Sequence, residues 1–355
     1  MAIEFLGHKN NLLDFIFGVI EKENIPTDGS FIDLFSGTGC VSAAAMKVGF
    51  EVKANDMLGM CNRFAEAALL NKETPNFKSV LPEITGNSNT ACESSPFELV
   101  IEYLNALPPT EGYIWSNYSP ASLHKTEHER MYFTESNAGK IDAIREKIKS
   151  WKYSLTKAEE SLLIVSLMKA ANRVANTAGT YGCYLKKWKK RALNQLKLET
   201  IEVVTSDKEH QTYNEDANEL IKKISGTVVY ADPPYTKRQY AAYYHILETI
   251  ALGDEPNITG STGLRSWQDL SSDYCYKRKA PDALRDLLSE AKCDHFLLSY
   301  NEDGQIPHEI ILEILSKYGS VTTHEKSYKR YKSSSISHKG NTLVERLYHL
   351  KMNKN

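Results

Sequence analysis

The most constraining stretch of this chain is TVVYADPPY, residues 227–235. Five uncharged residues rich in β-branched and aromatic types read as a strand buried on both faces, as the middle of a parallel sheet requires. Two successive prolines then fix the backbone and remove two N–H donors, so the strand ends there with carbonyl oxygens left available. At a strand's carboxyl end this makes a rigid acceptor pair, the Asp232 carboxylate and the Pro233 carbonyl, beside the aromatic plane of Tyr235. Such acceptors would hold a planar amino group while its ring stacks on the tyrosine. A double-proline turn that merely caps a strand, with Pro234 as its second half, is the plainer reading.

A second turn lies two hundred residues earlier, in FIDLFSGTG at 31–39. A short buried strand, 31–35, must bend sharply into the helical stretch 41–48, and Gly37 and Gly39 let the backbone approach a ligand without a Cβ in the way. The alternating EVKAN that follows at 51–55 reads as the next strand. Asp56 at its tip is placed to accept hydrogen bonds from both hydroxyls of a ribose. This suits a dinucleotide or S-adenosylmethionine, although a dinucleotide fingerprint wants a third glycine where Ser42 stands. A tight strand-helix corner alone would also use such glycines.

The chain has 355 residues, which allows two domains or one large domain with an insertion. From Thr74 to Leu198 no parallel-sheet rhythm is visible; prolines punctuate loops around two strong helical patterns at 140–151 and 157–176. Afterwards strands are expected at 200–205, 227–231, 295–300, 321–326 and 343–350, with helices at 216–224, 241–252, 281–292 and 307–318 between them. The expected architecture is a doubly wound, mostly parallel α/β sheet, formed by 1–73 and 199–355 and interrupted by a mainly helical insertion at 74–198.

With 43 Lys and Arg against 45 Asp and Glu, a protein basic throughout is excluded, and any nucleic acid must be met by a local basic patch. YLKKWKKRALNQLK at 184–197 supplies one, with six basic side chains and no acid. Tyr184, Lys186, Lys187, Trp188, Lys189, Lys190 and Arg191 are its candidate DNA contacts, and Lys237 and Arg238 beside the double proline are two more. The plainer reading of such a run is a solvated face. Six scattered cysteines never fall in a CxxC pair, so neither a zinc site nor a disulfide framework is expected. No apolar run is long enough for a membrane helix. The opening MAIEF has no basic n-region followed by an apolar h-region, and a cytoplasmic location is expected.

FLGHK at 5–9, FSGTG at 35–39 and DPPY at 232–235 together resemble the S-adenosylmethionine-dependent adenine-N6 DNA methyltransferases of restriction-modification systems. RQYAAYYHILETIA after DPPY, LLSYNEDG at 297–304 and YKRYKS at 328–333 are similar to that family in kind and order. The likeness is greatest to the branch in which a long insertion precedes DPPY. It implies a class I methyltransferase fold, S-adenosylmethionine as methyl donor, and double-stranded DNA as partner, with an adenine flipped out of the helix. It places Phe5, Gly7 and Lys9 near the methionine end of the donor, with Lys9 as partner of its carboxylate. Asp33, inside the strand that ends at Phe35, would receive the donor's ammonium or orient the glycine turn. Asp56 is assigned to the ribose. Asp216 resembles the acid that takes the donor's adenine amino group, and is equally a helix N-cap. Tyr328 and Tyr331 would lie across the flipped base from Tyr235, or be simple strand-edge tyrosines. No metal, no catalytic cysteine and a monomeric state are expected. A cognate endonuclease encoded nearby need not be bound.

Overall fold

The strand expected ahead of the double proline is buried from Val228 to Ala231 and is the fourth of seven in one sheet. These are β1 (Ser30–Asp33), β2 (Glu51–Asn55), β3 (Gln211–Tyr213), β4 (Gly226–Ala231), β5 (Cys293–Asn301), β6 (Gly319–Lys329) and β7 (Thr342–Met352). The structure, a computed structural model, describes residues 9–86, 94–329 and 342–353. Across the sheet the order is β3-β2-β1-β4-β5-β7-β6. The first five are parallel, and β7 runs antiparallel to both β5 and β6. This is the expected doubly wound, mostly parallel α/β sheet of the class I methyltransferase type.

The chain order in that sheet matters for function. From β1 the chain crosses to β2 on one side, and from β4 it crosses to β5 on the other. β1 and β4 are direct neighbours, so they flank the topological switch point, where the carboxyl ends of the strands leave a crevice. Alternation along β1 sends Phe31 to one face, against Phe50 and Tyr230. Ile32 goes to the other, into a core with Val229, Leu287, Phe296 and Ile314.

The chain separates into two compact units, each with its own core. The sheet unit comprises Gly7–Met57, Glu209–Gln239 and Ser271–Asn355, and the other includes Leu58–Lys208 and Tyr240–Leu270. The second is helical, built on Gly59–Leu69, Pro96–Ala106, Glu135–Ser150, Lys157–Val174 and His245–Leu252. Lys157–Val174 is buried over most of its circumference, as the central helix of a bundle must be. A capping box between Thr156 and Glu159 starts it.

Two expectations need correction. Residues 200–205 form no strand; Ile201 and Val203 pack instead against the helical core. The edge strand is Gln211–Tyr213, which pairs with β2. The helical unit also takes in more chain than 74–198. Glu248, beyond DPPY, accepts the free N–H groups of Gly59 and Met60 at 2.8 Å each, tying the first turn of Gly59–Leu69 to His245–Leu252. Among the described residues no helix is long and apolar enough to cross a membrane.

Candidate active site

The two turns singled out from the sequence leave adjacent strands at the same level. Leu34 N–H, just past β1, donates to Tyr230 O of β4 at 3.0 Å. Two residues further along each strand the glycine corner and the DPPY corner begin.

At the glycine corner Gly37 and Gly39 have φ of +52° and +73°, the left-handed region in which a side chain is strained. Ser36 N–H donates to Asn55 O and Gly39 N–H to Ser36 O. Asp56 Oδ2 accepts from Gly37 N–H at 2.9 Å, so one carboxylate oxygen of the residue assigned to a ribose also fastens the loop. Asp33 is fully buried and accepts from Ser42 Oγ at 2.6 Å. Of its two expected roles, the one visible here is to orient the turn. The hydroxyl needs Ser42 at the very position where a dinucleotide fingerprint has glycine. Burial, opposed by the Ser42 bond and reinforced by Asp232 and Asp56, pushes the Asp33 carboxyl up to about 7. Phe35 is half-buried, edge-on to Tyr274 at 5.4 Å.

Asn55 escaped the sequence reading. Buried at the end of β2, it donates to Leu34 O at 3.0 Å and Glu215 O at 3.1 Å, and accepts from Glu215 N–H. It thereby joins the chain leaving β1 to the loop after β3. A buried asparagine at a strand tip was the only sequence signal. Beyond that loop Asp216 caps the short helix Ala217–Leu220, accepting from Asn218 and Glu219 N–H. The N-cap reading of Asp216 is thus realised.

At the second corner the Asp232 side chain keeps 14% exposure, and Lys9 Nζ lies 3.0 Å from its Oδ1. The same ammonium is 2.8 Å from Glu345 Oε1 and 5.2 Å from the Tyr235 ring centre. Lys9, expected beside the donor's carboxylate, is here held between two of the protein's own carboxylates. Burial is the main reason the Asp232 carboxyl rises to about 7; Lys9 opposes the rise and Glu345 adds to it. The Tyr235 ring leans on Tyr300 at 5.6 Å, and its carbonyl accepts from Gln305 N–H at 3.0 Å. Gln239 and Ser272 exchange two hydrogen bonds, bracing the loop that carries exposed Lys237 and Arg238. The Cys275 thiol points at Arg238 O, 3.4 Å away. Burial pushes that thiol up to about 12, far from nucleophilic use.

The expected basic run lies in the helical unit and divides in two. Lys186, Lys187 and Lys190 are exposed, with Trp188 and Arg191 half-exposed. Lys189 Nζ is taken by Thr177 O at 2.7 Å, and Tyr184 rests edge-on against Tyr132 at 5.1 Å. Those two are bound into the fold. Phe5, Gly7 and Tyr331 lie outside the described residues, as does the side chain of Tyr328. Among the described residues no group of His, Cys, Asp and Glu could hold a metal ion.

Known proteins resemble this chain over most of its length. The sequence model of the D12 class N6 adenine-specific DNA methyltransferases matches residues 5–309. Type II methyltransferase M.FokI of Planomicrobium okeanokoites is 40% identical over 337 residues, 93% of this chain and 50% of that protein. Modification methylase StsI of Streptococcus sanguinis is 36% identical over 353 residues, 98% of this chain and 52% of the relative. Type II methyltransferase M.NlaIII of Neisseria lactamica is 36% identical over 327 residues, 91% of this chain and 90% of its own length. The chain therefore spans about half of the first two relatives and most of the third. Because the family match runs across both corners and the helical region between them, and not over one motif alone, the chain belongs to the D12 class of N6 adenine-specific DNA methyltransferases.

Proposed function

We propose that this chain transfers a methyl group from S-adenosylmethionine to the N6 amino group of an adenine in duplex DNA, as the monomeric, cytoplasmic modification enzyme of a restriction-modification system. One observation carries the reading: the glycine corner and the DPPY corner leave neighbouring parallel strands at the switch point, so donor and acceptor sites share one mouth.

The residues present fit the donor. Gly37 and Gly39 turn the corner at positive φ, where a side chain would be strained, and Ser36 Oγ is buried there with no hydrogen-bond partner among the described residues. Asp56 would take ribose hydroxyls, and Asp216, with its carboxylate at the rim beyond β3, the donor's adenine. When bound, S-adenosylmethionine supplies an electrophilic methyl on a sulfonium.

The protein's own part is to hold and polarise the target amine. Its lone pair is delocalised into the adenine ring, so it is a weak nucleophile. The Asp232 carboxylate and Pro233 carbonyl would accept from its two N–H groups and stabilise the positive charge that develops on nitrogen. Pro234 keeps the corner stiff, and Tyr235, seated against Tyr300, offers its face to the extruded base. Stacking there offsets part of the few kcal/mol that flipping costs. Lys186, Lys187 and Lys190, with Lys237 and Arg238, would meet phosphates.

The test is transfer of labelled methyl from S-adenosylmethionine to duplex DNA, RNA and protein in parallel. Label in deoxyadenosine of duplex DNA supports the proposal; label confined to RNA or to protein amides overturns it.

A further inference from the structure

Register brings a residue from the far end of the chain to the DPPY corner. Asp33 pairs with Tyr230 and Tyr230 with Leu297. Two residues beyond Leu297 is Ser299, and Asn301 pairs with Glu345 of β7. Side chains directly across a ladder share a face, as do residues two apart. Asp33, Tyr230, Ser299 and Glu345 thus line one face of the sheet, and Asp232, two past Tyr230, follows them.

Glu345 is 1% exposed, 336 residues from Lys9, and lies beyond the stretch matched by the family model. Its Oε1 accepts from Ser299 Oγ at 2.8 Å and from Lys9 Nζ at 2.8 Å, while Lys9 Nζ stands 3.0 Å from Asp232 Oδ1. Two carboxylates therefore share one buried ammonium. As a source of stability such an arrangement is poor, because desolvating three charges consumes most of the attraction.

Resting on the methyltransferase reading above, we propose that Glu345 is a positioning residue for catalysis: through Lys9 it fixes one oxygen of Asp232 and leaves the other directed to the amine. The two partners tune that carboxylate in opposite senses. The charged and titratable groups that face Asp232 are Lys9 from the N-terminal segment, Glu345 from β7, Asp33 from β1, Tyr230 of its own strand and Cys40 just past the glycine corner, with Tyr235 acting on Lys9. Lys9 favours the ionised form and Glu345 opposes it, so loss of one must move the titration contrary to loss of the other.

The experiment titrates Asp232 by carboxyl-carbon NMR and follows single-turnover methylation of duplex DNA, both from pH 5 to 10, in the wild type, Glu345→Gln and Lys9→Met. Glu345→Gln keeps the shape and both hydrogen bonds but removes a charge. The expected result is a midpoint about one unit lower in Glu345→Gln and at least about one unit higher in Lys9→Met, with the acid limb of the methylation rate moving in step and KM for DNA little changed. Should Lys9→Met fail to fold, the downward shift in Glu345→Gln decides alone. Midpoints that stay put, or rates that drop equally at every pH, overturn the proposal. Opposite NMR shifts in a protein that methylates no DNA would uphold the coupling and overturn only the proposed function.

Discussion

Replacing Asp232 by asparagine should separate stability from activity. Burial raises the folded-state carboxyl from 3.8 to about 7. A carboxyl raised in this way contributes its full stability below pH 3.8 and loses it as pH climbs through about 7, because the folded protein resists the charge that the unfolded chain accepts freely. Integrated over that window the penalty is about 2 kcal/mol at pH 5 and about 4 kcal/mol at pH 8. Asparagine carries no charge to desolvate, and Lys9 keeps its 2.8 Å contact with Glu345. Asp232→Asn is therefore expected to resist urea better than the wild type, with a gain that grows from pH 5 to pH 8. Its methyl transfer should nevertheless fall by about 10² to 10³, the usual loss when one preorganised electrostatic contact of about 3 to 4 kcal/mol is removed. Urea unfolding at the two pH values, followed by a signal from the sheet unit, and single-turnover methylation measure both. A variant less stable at pH 8, or one that methylates within tenfold of wild type, would refute the reasoning.

Other consequences are open to simple measurement. Gly39→Ala forces a side chain into φ +73° at a cost of about 1 to 2 kcal/mol; calorimetry should show weaker S-adenosylmethionine binding than in Ala43→Gly, outside the corner. His245 is buried, its Nε2 is 3.0 Å from Tyr181 O, and burial holds it down at about 4. A depressed histidine contributes stability above its unfolded value near 6.5, so the helical unit should lose about 3 kcal/mol as pH falls from there to 4, read by hydrogen exchange. Lys186, Lys187 and Lys190 replaced together by glutamine should lower the slope of log affinity for DNA against log salt by about 3, at about 0.9 per lost phosphate contact; fluorescence anisotropy reads the slope, and no change would remove these lysines from the DNA track.

Much of this site was legible because its parts are local. A strand and the corner that ends it are neighbours in sequence, so β4 with DPPY and β1 with the glycine turn could be read from hydrophobic runs, prolines and glycines. Strand pairing is not local, and β3 shows the consequence. Thr200–Thr205 has the β-branched composition of a strand, yet Ile201 and Val203 are used by the helical core, and three less apolar residues at 211–213 take the place beside β2. Helix Pro96–Ala106 went unremarked although Ser95, Pro96 and Glu98 spell out its start, a capping box with proline in the first turn. The contacts of Lys9 were out of reach for a different reason. Its partners are distant in sequence, and Glu345 meets it only once β7 inserts between β5 and β6, an insertion that no local pattern announces.

Methyl transfer here requires the DPPY corner to grip a planar amine beside the glycine corner. A crystal structure with duplex DNA and a non-transferring analogue of S-adenosylmethionine tests it most directly. The expected result is an adenine turned out of the helix, its N6 about 3 Å from both the Asp232 carboxylate and the Pro233 carbonyl, its ring on Tyr235, and the analogue against Gly37 and Gly39. An adenine still stacked in the duplex, or an analogue seated away from that glycine bend, would contradict it.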